Sequence, residues 1–188
     1  MAALCDFFFE AGQLKLVKRS GWWVAGVKDP ESVAEHSYRT GVIAFVLAEM
    51  EGLDCNKICA AALFHDLHEA RLQDRHKISQ NYLDTPAALE KKITREQAAA
   101  LPKKVGRRVL ALNELAAAER AVLRDADLLE CAVQAKEYFD LGYKDAWDWI
   151  IRIEKRLKTG SAKKIIGQVK RTPSGNWWRG LKKDIMRS

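Results

Sequence analysis

The chain has 188 residues, 48% hydrophobic and 30% charged, which suits one globular domain with a sizeable core and excludes a disordered chain. No apolar run reaches membrane-spanning length, and Met1 to Arg19 lacks a basic stretch followed by an uncharged apolar core and cleavage site, so a cytoplasmic protein is expected. The net charge of +7 belongs to the C-terminal end, because residues 152–188 hold 12 Lys/Arg against 2 Asp/Glu while residues 1–151 hold 20 against 23; nucleic-acid binding by the body is therefore disfavoured.

Residues 2–18 carry apolar positions at helical spacing, Phe7, Phe8, Leu14 and Val17 among them, and predict a first helix. Arg19-Ser20-Gly21-Trp22-Trp23 breaks it, and a loop runs on to Asp29-Pro30. Ser32-Val33-Ala34-Glu35 has the form of a capping box. A helix should start at about Val33, with His36 in its first turn, and Ile43, Val46, Leu47 and Met50 carry it to Glu51. Asn56 is placed to cap a third helix that ends near Glu69 or Leu72. The polar stretch from Gln73 to Asp84 predicts a loop or broken helix. Pro86 opens a helix over Ala87 to Leu101, Pro102 interrupts it, and helical pattern resumes over Val105 to Leu115 and Ala117 to Phe139. Gly142 ends that helix; Asp145 to Leu157 makes another, which Thr159-Gly160 stops.

The tail has a weak helical stretch (Ala162 to Val169), a Pro-Ser-Gly turn at 173–175, and Trp177-Trp178, which are expected to dock it on the core. With no strand-like alternation and no internal repeat, the expected class is all-α: a single helical bundle over residues 1–160, and a basic extension over 161–188 packed on or hanging from it. Cys5, Cys55, Cys59 and Cys131 form no CxxC pair and read as reduced core cysteines.

The apolar run Ile58 to Phe64 ends abruptly in His65-Asp66-Leu67-His68-Glu69. Polar groups on a buried flank cost roughly 2–7 kcal/mol each when unpartnered, so something must satisfy them, and a divalent cation is one candidate. Adjacent side chains project about 100° apart on a helix, but at a helix C-terminal end both can lean to one point if other helices supply further ligands. His36, the His65-Asp66 dyad and a carboxylate from the Ala117–Phe139 stretch could close such a site inside a bundle. Arg124-Asp125-Ala126-Asp127-Leu128-Leu129-Glu130 offers three late carboxylates. Asp125 faces the core more squarely, Asp127 shares a face with Leu123, Glu130, Cys131 and Gln134, and periodicity does not choose between them.

His36 in Pro30-Glu31-Ser32-Val33-Ala34-Glu35-His36-Ser37, the dyad in Phe64-His65-Asp66-Leu67-His68-Glu69-Ala70, and Asp125-Ala126-Asp127-Leu128-Leu129-Glu130 resemble the three signatures of the HD-domain metallohydrolase superfamily. Arg19-Ser20-Gly21-Trp22, Pro30 to His36, and Glu69 with Asp74 are similar to its 5′-deoxynucleotidase branch, which includes the HD-domain-containing protein 2 group. The likeness covers about residues 10–150 and departs from the branch's bacterial members in separating Arg19 from Trp22 by Ser20-Gly21. The resemblance implies His36, His65, Asp66 and Asp127 as ligands of one divalent cation (Mn, Co, Fe, Ni, Zn or Mg), with Asp125 the residue to test against Asp127. It implies Glu69 as the catalytic acid, Asp74 as a second acid near the substrate sugar, and Arg19 and Trp22 as nucleotide contacts. His68 and His76 read as surface residues or supports of the site.

The activity implied is hydrolysis of the phosphomonoester of (deoxy)ribonucleoside 5′-monophosphates, by a homodimer. Two alternatives stand beside it. One is an HD phosphohydrolase acting on a phosphodiester or triphosphate, and the other is a non-catalytic helical module that binds RNA or a protein through the basic tail.

Overall fold

Ser32 and Glu35 close the capping box reciprocally: Ser32 Oγ accepts from the Glu35 amide at 3.2 Å, and the Glu35 carboxylate accepts from the Ser32 amide at 2.6 Å. Two otherwise orphaned amides are satisfied, and the 18-residue helix α3 (Val33–Met50) starts there, placing His36 in its first turn. In the computed structural model, which describes residues 2–83 and 86–181, α1 (Ala2–Gly12) runs into a 3-10 turn (Gln13–Lys15), and α2 (Gly21–Val24) precedes α3. Then come α4 (Cys55–Phe64), α5 (Glu69–Leu72), α6 (Lys77–Gln80), α7 (Ala87–Ala99), α8 (Lys103–Ala111) and the 24-residue α9 (Ala117–Asp140). A 3-10 turn (Lys144–Ala146), α10 (Trp147–Glu154), α11 (Gly160–Arg171) and α12 (Asn176–Arg179) complete the fold. The class is all-α; among the described residues extended pairing is limited to an isolated bridge between Lys18 and Ser32.

Several expected boundaries move for local reasons. The first helix ends at Gly12 and tightens into a 3-10 turn instead of running to Lys18. Asp54, not Asn56, caps α4, accepting from the Lys57 amide at 3.0 Å. The third helix stops at Phe64, four residues before the one-turn α5, so the His65-Asp66 dyad lies in a turn between two helices. The 73–84 stretch contains the one-turn α6, capped by His76, which accepts from the Ser79 amide; Asp84 lies outside the described residues, as does the tail beyond 181. All four cysteines are free, and Cys5 is exposed rather than in the core.

The main core forms where α3, α4, α9, α10 and α11 converge, with Leu47, Ile58, Leu129, Ile150 and Ile166 fully enclosed. Ile166 and Ala162 seat α11 in this core. Trp177 is 75% exposed and is no docking anchor. A second core, of Phe7, Leu14, Val17, Val33, Leu67 and Leu101, lies under α1 and the start of α3. Among the described residues no helix is long and apolar enough to cross a membrane.

Helices α7 and α8 cross closely at Gly106, where an added Cβ would fall 2.3 Å from the Ala98 carbonyl oxygen. That neighbour is backbone and can yield only if the helices part. Gly106→Ala is expected to lower the stability of the fold by about 1–3 kcal/mol, read by urea unfolding; an unchanged midpoint would show that the crossing is loose.

Candidate metal centre and active site

His36 is fully buried on α3, and its Nδ1 bonds the Glu130 carboxylate, itself fully buried on α9. With Nδ1 committed, Nε2 points to the other side, 3.2 Å from Asp127 Oδ1 and 3.7 Å from Asp66 Oδ2. In the turn after α4, His65 Nδ1 donates to the Ala62 carbonyl at 2.6 Å, which fixes its tautomer and leaves Nε2 with a lone pair. That Nε2 is buried without a hydrogen-bond partner, although Asp66 Oδ2 lies 3.1 Å away. Ligand atoms of His36, His65 and Asp127 lie within 4.8 Å of one another, and Asp66 adjoins both imidazoles.

Two imidazole nitrogens and two carboxylates thus converge from three segments of chain. An orphaned, buried His65 Nε2 and ring nitrogens fixed from behind by a carboxylate and a carbonyl suit a divalent cation. The electrostatics agree. Burial and the Arg19 charge disfavour protonated His36, yet Asp127 and Glu130 outweigh them and push its pKa up to about 10, so the cluster draws positive charge. Burial opposes ionisation of Asp66, but His65 and Arg19 hold its carboxyl well below the usual range.

The two late aspartates have parted roles. Asp125 is fully buried and faces away from the cluster, accepting from the Lys158 amide at 2.9 Å, the Thr159 amide at 2.7 Å and the Thr159 hydroxyl at 2.8 Å. It anchors the entry to α11. Asp127, whose side chain is 37% exposed, is the one the fold brings to His36.

Glu69, on the first turn of α5, has a buried carboxylate oxygen without a hydrogen-bond partner. Burial, then the neighbouring Asp66 and Asp74 charges, push its pKa up to about 9. Asp74 Oδ2 accepts from the Ser20 hydroxyl at 2.9 Å and from the Ser20 amide, while Oδ1 lies 3.5 Å from Arg19 Nη1. Gln73, immediately before it, has φ 62° and ψ 158°, a backbone region that residues with a Cβ rarely enter. This strained residue turns the chain so that Asp74 reaches the 19–22 loop. Arg19 also lies 3.6 Å from Asp66 and donates to Cys131 Sγ at 3.0 Å.

Trp22 takes a different place from an open nucleotide contact. It is 3% exposed, its ring packs on Tyr138 and Trp149, and its Nε1 donates to Glu31 at 2.9 Å. His68 lies beside Asp66 and Glu69, partly buried.

Sequence reasoning offers Glu130 as a candidate carboxylate but not its place behind His36, nor the group behind it. Arg39 Nε donates to Glu130 at 2.9 Å, Nη1 to Glu137 at 2.9 Å and Nη2 to Gln134 at 2.6 Å. The signal was present: Glu130 follows Asp127 by three residues, as Arg39 follows His36, so each pair shares one helix face.

The HD-domain family profile matches residues 11–169. The chain belongs to the HD-domain family. Within it, the protein is 32% identical over 149 residues to 5′-deoxynucleotidase HDDC2 of Dictyostelium discoideum, a match covering 73% of this chain and 78% of that one. It is 30% identical over 146 residues to 5′-deoxynucleotidase HDDC2 of Homo sapiens, covering 76% of this chain and 71% of that one. A conserved hypothetical protein from Pyrococcus furiosus shares the fold of this HD-domain chain with a TM-score of 0.70 at 29% identity, over 89% of this chain and 99% of that one.

Two substitutions separate the aspartates. Asp127→Ala is expected to lose tight cation binding, read by metal analysis after dialysis, with the unfolding midpoint kept. Asp125→Ala is expected to keep the cation and lose about 2–3 kcal/mol of stability, because it leaves buried amides unpaired. The opposite pattern would put Asp125 at the cation. Glu130→Gln is expected to weaken cation binding about 10–100-fold by titration calorimetry.

Proposed function

We propose that this protein is a metal-dependent 5′-deoxynucleotidase that hydrolyses the phosphomonoester of 2′-deoxynucleoside 5′-monophosphates to nucleoside and phosphate. The observation that carries this reading is the convergence of His36, His65, Asp66 and Asp127 beside the buried Glu69 carboxyl and the Arg19 guanidinium, in a chain whose HDDC2 relatives are described as 5′-deoxynucleotidases.

His36, His65, Asp66 and Asp127 would hold the divalent cation. Such a cation supplies a lowered pKa to water and draws charge from a phosphoryl oxygen. Arg19, its guanidinium opposite Asp66, is placed to orient the phosphate with its fork of donors. Glu69, whose burial favours the protonated carboxyl, can give a proton to the departing 5′-oxygen, and the emptied carboxylate can then take the proton released from water. Asp74 keeps the Arg19 loop in register through Ser20, and its Oδ1, 3.5 Å from Arg19 Nη1, is the oxygen left to meet a sugar hydroxyl. Trp22 serves at one remove, since its Nε1 holds Glu31 and its ring fixes the short helix that follows Arg19.

A homodimer is part of this proposal. Tyr38, Val42, Phe45, Val46 and Met50 lie at i, i+4, i+7, i+8 and i+12 of α3, each at least 43% exposed, so one face of the helix presents a continuous apolar stripe. A stripe of this kind is self-complementary about a two-fold axis.

His65→Ala is expected to abolish metal-dependent phosphate release from dAMP, dGMP and TMP, measured by a phosphate assay; surviving metal-dependent release would overturn the reading. Arg19→Lys is expected to raise KM about tenfold, because a point charge replaces a planar fork. For assembly, Phe45→Glu is expected to halve the mass seen by light scattering, and an unchanged mass would put the interface elsewhere.

A further inference from the structure

Residues 58–72 contain neither Gly nor Pro, yet α4 stops at Phe64 and residues 65–68 form turns before α5 begins. A helix breaks in such a place when a side chain enters its ladder of hydrogen bonds. Gln97 of α7 is that side chain. It is 2% exposed, and its Nε2 donates to the Leu67 carbonyl at 3.0 Å and to Glu10 Oε1 of α1 at 2.7 Å. The Leu67 carbonyl also accepts from the Ala70 amide, three residues on, at 3.2 Å, so the ladder tightens where Gln97 enters it.

The same Glu10 carboxylate is gripped by Arg71 of α5. Nε donates to Oε1 at 2.6 Å and Nη2 to Oε2 at 2.9 Å, while Nη1 reaches Glu96 Oε2 of α7 at 2.7 Å. One carboxylate on α1 thus ties the chain at Leu67 and at Arg71, and Glu69 lies between those two points. The Leu67 side chain is itself buried in the second core, with Phe7, Leu14 and Val33. These bonds end on the Leu67 backbone and on Glu96, so they act on the site through the backbone alone. Its consequence for the dyad is direct. In an unbroken helix His65 and Asp66 would project about 100° apart, whereas in this turn His65 Nε2 and Asp66 Oδ2 lie 3.1 Å from each other.

We propose that Gln97 is a positioning residue for the hydrolysis: by holding the Leu67 carbonyl out of a continuous helical ladder, it keeps His65 and Asp66 converged and fixes Glu69 relative to them, braced by Glu10 and Arg71. The inference rests on the nucleotidase reading and deepens it, because it names what aims the dyad and the acid.

Gln97→Leu removes the donors and keeps the buried bulk. Both acceptors retain another donor, Ala70 for the Leu67 carbonyl and Arg71 for Glu10, so the variant is expected to fold with an unfolding midpoint close to that of the parent chain. Its affinity for Mn2+, by titration calorimetry on the full chain dialysed free of metal, is expected to fall roughly tenfold. On dAMP its kcat is expected to fall about tenfold with KM little changed, since Arg19 reaches the site from another segment. A folded variant that binds Mn2+ as the parent does would overturn the proposal, whatever its stability, because a merely structural Gln97 has no hold on the dyad. If Gln97→Leu does not fold, Glu10 decides. Glu10→Ala is expected to weaken Mn2+ binding about threefold, and Glu10→Gln, whose carboxamide oxygen can accept from Gln97 and Arg71, to restore it; equal affinities in the three chains would also overturn the proposal. A parent chain that binds Mn2+ but releases no phosphate from dAMP would instead sink the nucleotidase reading, and the Mn2+ affinities would still decide whether Gln97 positions the dyad.

Discussion

The buried His36–Glu130 pair is the constraint on which the site depends. It joins α3 to α9, the two longest helices, inside a core where an ionised carboxylate would be costly to leave alone. Arg39 makes it tenable by bonding Glu130 from the far side and reaching Glu137 and Gln134 beyond. The pair fixes how far the helices are apart and how they are turned. It also directs the second nitrogen of His36 at Asp127 and Asp66, so one buried interaction both holds the bundle and aims a ligand.

Most of the fold could be read from the chain because its helices are delimited by strong local chemistry. Ser32 and Glu35 sit at the spacing of a capping box, Pro102 stops a helix, and Gly142, at φ 109°, takes the conformation in which α9 can end. Boundaries were missed where two signals compete. Asp54 and Asn56 can each cap, and Asp54 wins because its side chain reaches the Lys57 amide. The break at Phe64 has no Gly or Pro to announce it, since tertiary demands on His65 and Asp66 override a good helical sequence. A large apolar side chain such as Trp177 suggests burial, yet it is exposed, whereas the small Ala162 and the aliphatic Ile166 bury α11.

The site was legible in its residue types but only partly in their arrangement. His36, His65 and Asp66 stand out because imidazoles beside apolar runs need partners. The choice between Asp125 and Asp127 turns on an amide pair 33 and 34 residues away, which no helical period reveals. The resemblance implies Trp22 as a nucleotide contact, whereas its burial depends on Tyr138 and Trp149, far along the chain. The pairing of Glu130 with Arg39 is hidden for a related reason: alone, each looks like a solvated charge on a long helix, and only the crossing of α3 with α9 makes them partners.

Asp125 and Asp127 stand two residues apart on α9 and so project about 200° from each other around its axis. One is gripped by the backbone at the entry to α11, the other is required at His36 on the opposite flank. The helix is therefore held at two points like an axle between bearings, unable to roll or slide without losing one of them. Its surface is free to vary in composition, but its length between these points is not: one residue added or removed there would rotate one bearing by about 100° against the other. Divergence among chains built this way should be written in substitutions along this helix, with changes of length displaced to the loops.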